Sequence, residues 1–115
     1  MSRNVQNHRD TLLYLYRARP RIIKAVIKEA DSSLINAISE LAVNVLKGTV
    51  PLSPRQKAKL RAYKSQLRRL VEKRTSLLQK KTIVQKGGFL GALLGPLAKL
   101  LVPLASTVFG GILGR

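Results

Sequence analysis

Eleven cationic side chains, Arg55, Lys57, Lys59, Arg61, Lys64, Arg68, Arg69, Lys73, Arg74, Lys80 and Lys81, fall within one stretch whose single carboxylate is Glu72. Lys and Arg at this density can neutralise phosphate groups, because each contact releases a condensed counterion and needs no shaped pocket. One acid cannot pair off so many cations within a helix, so a merely solvated face is the weaker reading of the run. Few Asn or Gln stand among the basic positions and no paired-helix recognition pattern is visible, so charge neutralisation is expected over base reading. Tyr14, Tyr16 and Tyr63 are too few, and too core-like in spacing, for a base-stacking platform.

Other chemistry finds little support. The titratable candidates for acid–base work are Asp10, Glu29, Asp31, Glu40, Glu72 and the lone His8, and their positions suit helix caps and surface charges. His8 has no acid or nucleophile pattern beside it, so a structural role is expected. No His, Cys or carboxylate cluster has metal-ligand spacing, and no metal or cofactor is expected. The glycine-rich GGFLGALLG lacks the Gly-Lys-Ser/Thr ending of a phosphate loop and follows no convincing strand. No catalytic residue is assigned, and an enzyme is not the expectation.

The elements that must carry these residues are helical. Leu12, Leu13, Leu15 and Tyr16 recur at helical spacing within a first helix from about Val5 to Ala18, which Pro20 closes. A second short helix starts at Pro20 and turns Ile22, Ile23, Val26 and Ile27 to one side. Asp31, Ser32 and Ser33 precede a third, over 34–47, with Leu34, Ile35, Ile38, Leu41, Ala42, Val45 and Leu46 as its apolar stripe and Gly48 as its stop. Ser53-Pro54-Arg55-Gln56 then forms a capping box. Beyond it neither Pro nor Gly intervenes to about Lys81, so the spacing predicts one rod of roughly 40 Å. Its seam is Leu60, Tyr63, Leu67, Leu70, Val71, Leu77 and Leu78. The expectation is therefore an all-α chain: three short helices over 1–53, one long basic helix over 54–86, and a junction with an apolar helical tail over 87–115.

Composition divides along the same lines. The chain has 115 residues and a net charge of +17 from 22 Lys and Arg against 5 Asp and Glu. Residues 54–86 alone carry +11, whereas from Gly87 onward only Lys99 and Arg115 are charged. So small a body with that charge is expected to meet a polyanion, either nucleic acid or an anionic membrane. There is no cysteine, which removes disulfides and thiolate metal sites. The N-terminal MSRNVQNHRD lacks the apolar run of a secretory signal. No internal repeat is visible. A small core implies that a partner or homo-oligomer helps hold the fold.

The apolar segment FLGALLGPLAKLLVPLASTVFGGILG admits three readings: packing on the domain, a membrane span, or a membrane-active or partner-binding peptide. Phe89, Leu90, Leu93, Leu94, Leu97, Leu100, Leu101 and Leu104 form its broad face, opposite small residues. Lys99 and two prolines argue against a plain span. Membrane or partner binding is the preferred reading.

At the junction KKTIVQKGGFLGALLGP a basic run meets Gly-Gly, a large apolar residue and a Pro-interrupted apolar tail. Over residues 80–115 this resembles the precursor of the adenovirus mu core protein, although mu is Arg-rich where this chain is Lys-rich and helical in pattern. The whole chain resembles small basic proteins of adenovirus-like Maverick/Polinton (adintovirus) elements. The resemblance implies a structural virion or core protein, present in the host nucleus or cytoplasm during assembly, that binds double-stranded DNA without sequence preference. It implies an apolar tail that touches capsid protein or membrane and is removed by an adenovirus-type cysteine protease. Gln85-Lys86-Gly87-Gly88 fits that protease's pattern, with the cut before Phe89; Val108-Phe109-Gly110-Gly111 is a weaker second match. The alternative expectation is a membrane-active minor virion protein whose tail inserts into a bilayer. The glycine pair is expected outside any helix, so that Gly88 can be replaced without disturbing the helices before it.

Overall fold

The computed structural model describes residues 2–101, and all of their regular structure is helical. The helices are α1 (Arg3–Asn7), α2 (Arg9–Arg17), α3 (Pro20–Glu29), α4 (Ser32–Leu46), α5 (Pro54–Arg61), α6 (Lys64–Val71), α7 (Leu77–Val84), α8 (Phe89–Leu94) and α9 (Ala98–Leu101). Local signals set most of these ends. Pro20 occupies the first turn of α3. The Asp31 carboxylate accepts from the Leu34 amide at 3.0 Å to start α4, and Gly48, at φ 75°, follows its end. Ser53 and Gln56 exchange the two bonds of a capping box at α5.

α4 is the central element. It buries Leu34, Ile35, Ala37, Ile38, Leu41, Ala42 and Val45, and packs on α1, α6, α7 and α8. Its apolar stripe is as wide as the sequence pattern requires, so neighbours can cover it from several sides. The predicted first helix is divided at His8, whose backbone leaves the helical region at φ −102° and ψ 9°.

The predicted rod over 54–86 is three helices instead. The first break is a bend at Ala62-Tyr63, where the Tyr63 amide reaches only three residues back, to Leu60 O at 3.0 Å. The second is a complete interruption of the helix: Glu72 turns extended, at ψ 136°, and ends α6. Thr75 then donates its hydroxyl to the Arg69 carbonyl, and Ser76 opens α7 with a second capping box to Gln79. Neither break uses proline or glycine. The motif Ser76-x-x-Gln79 repeats Ser53-x-x-Gln56 and is the local signal for the second one.

The reason for the break lies in packing. Leu60, Leu67 and Leu70 are buried, and so are Ile83 and Val84 of α7, which packs on α3, α4, α6 and α8. A straight rod would carry Ile83 and Val84 away from that core. The restart at Ser76 also changes which face of the segment is internal. Leu77 and Leu78, expected in the seam, are 41% and 74% exposed.

The apolar residues after the glycine pair are part of the same core. Phe89, Leu90, Ala92, Leu93, Leu94, Leu97 and Leu101 are buried in one cluster with Leu12, Leu15, Ile38 and Leu70. α8 packs against α2, α4, α5 and α7, and α9 against α2. The division at residue 87 is thus a change of composition and not a boundary of packing.

Core truncation and surface truncation on α7 should separate sharply in chemical denaturation. Ile83→Ala is expected to cost ~1–4 kcal/mol, and Leu78→Ala to change stability by no more than about 0.5 kcal/mol. Equal losses at the two positions would restore the uninterrupted seam.

Candidate nucleic-acid interface and the glycine junction

The eleven basic residues do not lie along one rod. Nine of them are exposed, Arg55, Lys57, Lys59 and Arg61 on α5, Lys64, Arg68 and Arg69 on α6, and Lys73 and Arg74 in the α6–α7 connection. Lys80 and Lys81 of α7 are half-buried. Lys81 is diverted to a structural use, since its Nζ donates to the Lys28 carbonyl at 3.0 Å, near the C-terminus of α3. A cation there favours the negative end of the helix dipole.

The α5–α6 bend gathers Arg61, Lys64, Arg68 and Arg69 around one groove, with Glu72 at its edge. Arg55 and Lys59, one turn apart on α5, border a second recess with Tyr16, Gly91 and Gly95. Among the described residues the one ion pair is Arg9 with its neighbour Asp10, at 4.0 Å. The four cations of the groove and the two of the recess therefore have no ion-pair partner. α3, which packs on α7, carries three further exposed cations, Arg21, Lys24 and Lys28. Sequence spacing placed these three only as the polar side of an amphipathic helix; their position beside α7 is a tertiary result.

His8 belongs to a polar knot between α1 and α4. Asn4 Nδ2 donates to the Ser33 carbonyl at 3.1 Å, and the Ser33 hydroxyl donates to Asn4 Oδ1 at 2.9 Å. His8 Nε2 lies 2.8 Å from the same hydroxyl oxygen. With the hydroxyl proton given to Asn4, the imidazole N–H is the donor to Ser33, the opposite of what activation of a serine requires. Ser2 likewise bonds to Glu40 across the same pair of helices. Among the described residues no group of three His, Cys, Asp or Glu side chains could hold a metal ion.

The glycine junction is exposed but held. Gly87 and Gly88 are at the surface, while Phe89 beside them is 1% exposed. Tyr63 donates its hydroxyl to the Gly87 carbonyl at 3.0 Å, and its ring meets that of Phe89 edge-on, with centroids 5.8 Å apart. Gly88 takes φ 81°, and a Cβ there would stand 2.6 Å from the Tyr63 hydroxyl. The expectation that Gly88 can be replaced without consequence upstream is therefore corrected: its substitution strikes Tyr63, which forms the α5–α6 bend. A protease cutting before Phe89 needs extended backbone on both sides, and here one side is the first turn of a packed helix.

The residues proposed for membrane or partner contact are also accounted for. Phe89, Leu90, Leu93, Leu94, Leu97 and Leu101 are core residues, because they supply apolar surface that α2 and α4 otherwise lack a partner for. Leu104, the side chain of Leu100 and the second glycine pair lie outside the described residues. Among those described, no helix is long and apolar enough to cross a membrane. Comparison with known proteins leaves the surface to be interpreted by itself: no protein-family profile, curated protein or solved structure matches the chain.

Equilibrium unfolding of three variants tests the junction. Tyr63→Phe is expected to lose about 1 kcal/mol with its hydrogen bond, and Gly88→Ala about 2 kcal/mol from the left-handed backbone and the clash together. The double variant should lose less than the sum, because removing the hydroxyl removes the clash. Full additivity would mean that Tyr63 and Gly88 do not meet.

Proposed function

We propose that this protein is a structural nucleic-acid-binding protein that neutralises double-stranded DNA without sequence preference. The observation that supports this reading is the set of nine exposed cations on α5, α6 and the connection after it, which hold a single carboxylate, Glu72, and no ion pair. Such a surface suits the phosphate backbone, whose charges recur along any sequence, and the spread of cations over several helices suits a groove-following strand of charge better than a single anion. The resemblance at residues 80–115 supports a place beside a viral or element genome in the particle, where a capsid protein or membrane is the proposed partner of the tail.

Burial of the apolar segment bears on how removal of a tail after Gly88 could operate. Release of 89–115 would withdraw seven buried apolar side chains from the core. At ~1.5–3 kcal/mol for each large one, that loss rivals the whole stability of a small domain, about 5–15 kcal/mol. Cutting would then dismantle the helical unit instead of trimming it, so processing in this proposal is a disassembly step that discharges bound DNA. A chain ending at Gly88 should show no cooperative thermal unfolding, whereas the full chain should; a sharp transition in both would separate the tail from the core.

Binding of a random-sequence duplex by the full chain should weaken steeply with salt, by ~10³-fold or more between 50 and 200 mM if six phosphates are neutralised. The combined change Arg61→Gln, Lys64→Gln and Arg68→Gln should reduce the slope of log affinity against log salt by about three, equally for unrelated sequences. Binding no stronger than that of a neutral control protein at low salt would overturn the reading.

A further inference from the structure

Resting on the nucleic-acid reading above, we propose that Leu78 is an apolar wedge that enters a base step of duplex DNA while the preceding Lys73 and Arg74 hold the backbone. Leu78 is the most exposed large apolar side chain of the described residues, at 74%, and it stands in the first turn of α7. Ile83 and Val84 mark the buried face of that helix. At 100° per residue Leu78 lies roughly 140° and 120° around the helix from them, so it points away from the core. Lys73 and Arg74, both exposed, stand just before the Thr75-Ser76 start of α7, on the chain leading to Leu78.

The position is rigid, which a wedge requires. Ser76 and Gln79 close their capping box around the first turn, with bonds of 3.0 and 3.2 Å. Thr75 ties the connection back to the Arg69 carbonyl of α6. An exposed leucine on a mobile loop would gain little by entering a stack, because ordering it would offset the gain. Here those bonds hold the backbone that carries Leu78 before any partner arrives.

Charge selects the occupant. A second copy of this chain on the same face would bring Lys73 and Arg74 against their own counterparts, and like charges facing one another oppose association. A bilayer surface would accept the cations, but interfacial helices bury a broad apolar face, and two adjacent leucines beside Gln79 and Thr82 do not make one. A duplex accepts both parts of the pattern. Single leucine side chains are among the apolar wedges that unstack a base step and kink the helix, while neighbouring Lys and Arg contact phosphates.

The experiment uses the full chain and a short duplex labelled at both ends, with bending read by energy transfer and affinity by titration at several salt concentrations. Wild-type protein should bind and bend the duplex. Leu78→Ser should melt as wild type does, bind about tenfold more weakly, keep the same salt slope and fail to bend, since the lost contact is apolar and uncharged. Lys73→Gln with Arg74→Gln should instead lower the salt slope by about two. If Leu78→Ser binds and bends the duplex as wild type does, the wedge is overturned while the polyanion reading stands. Loss of binding to anionic phosphatidylserine vesicles with unchanged DNA bending would also overturn it, in favour of a lipid contact. Failure of wild-type protein to bind the duplex at low salt would remove the underlying reading and the wedge with it.

Discussion

The apolar residues after the glycine pair complete a core that the preceding helices leave open. α4 is apolar over about half of its circumference, and α2 offers Leu12 and Leu15, yet the basic helices α5 to α7 bring only one to two buried residues each to cover them. Phe89, Leu90, Leu93, Leu94 and Leu97 fill the remaining space. Because burial of apolar area is the main favourable contribution to folding, the position of α8 governs where α2, α4, α5 and α7 can sit. The break at residues 72–76 follows from the same demand, since α7 must return to cover the cluster that α8 enters.

This arrangement separates charge from core in a chain with little room for either. A net charge of +17 repels itself, and folding concentrates that charge on the outside of a body held by one cluster. The carboxylates relieve little of it, for Asp10 alone forms an ion pair among the described residues, with its neighbour Arg9. Asp31 caps α4, Glu40 meets Ser2, and Glu72 lies at the groove edge without an ion pair. A polyanion bound to α5 and α6 would therefore stabilise the folded state as well as being held by it, which is the linkage expected of any ligand that binds only the native form.

Tyr63 connects the two halves of the molecule. Its backbone forms the bend that gathers Arg61, Lys64 and Arg68, and its side chain grips Gly87 and abuts Phe89. The left-handed backbone at Gly88 is what lets the chain pass so close to the Tyr63 hydroxyl before α8 begins. Tyr63 thus links the glycine junction to the basic groove, alongside the packing of α8 on α5.

The sequence by itself determined the helical class, the caps at Pro20, Asp31 and Ser53, the apolar stripe of α4 and the concentration of cations, because each rests on near neighbours along the chain: proline geometry, side-chain oxygens beside free amides, and a 3.6-residue period. Even the restart at Ser76 was written locally, in a capping box that the lack of proline and glycine made easy to pass over. What the tertiary structure decided was which surfaces are inside. Composition cannot tell a leucine face that meets lipid from one that meets another helix, since both are equally apolar; only the open side of α2 and α4 made Phe89 to Leu101 core. Helical period alone likewise put Leu78 in the seam. A change of direction five residues long, driven by burial of Ile83 and Val84, turned it outward.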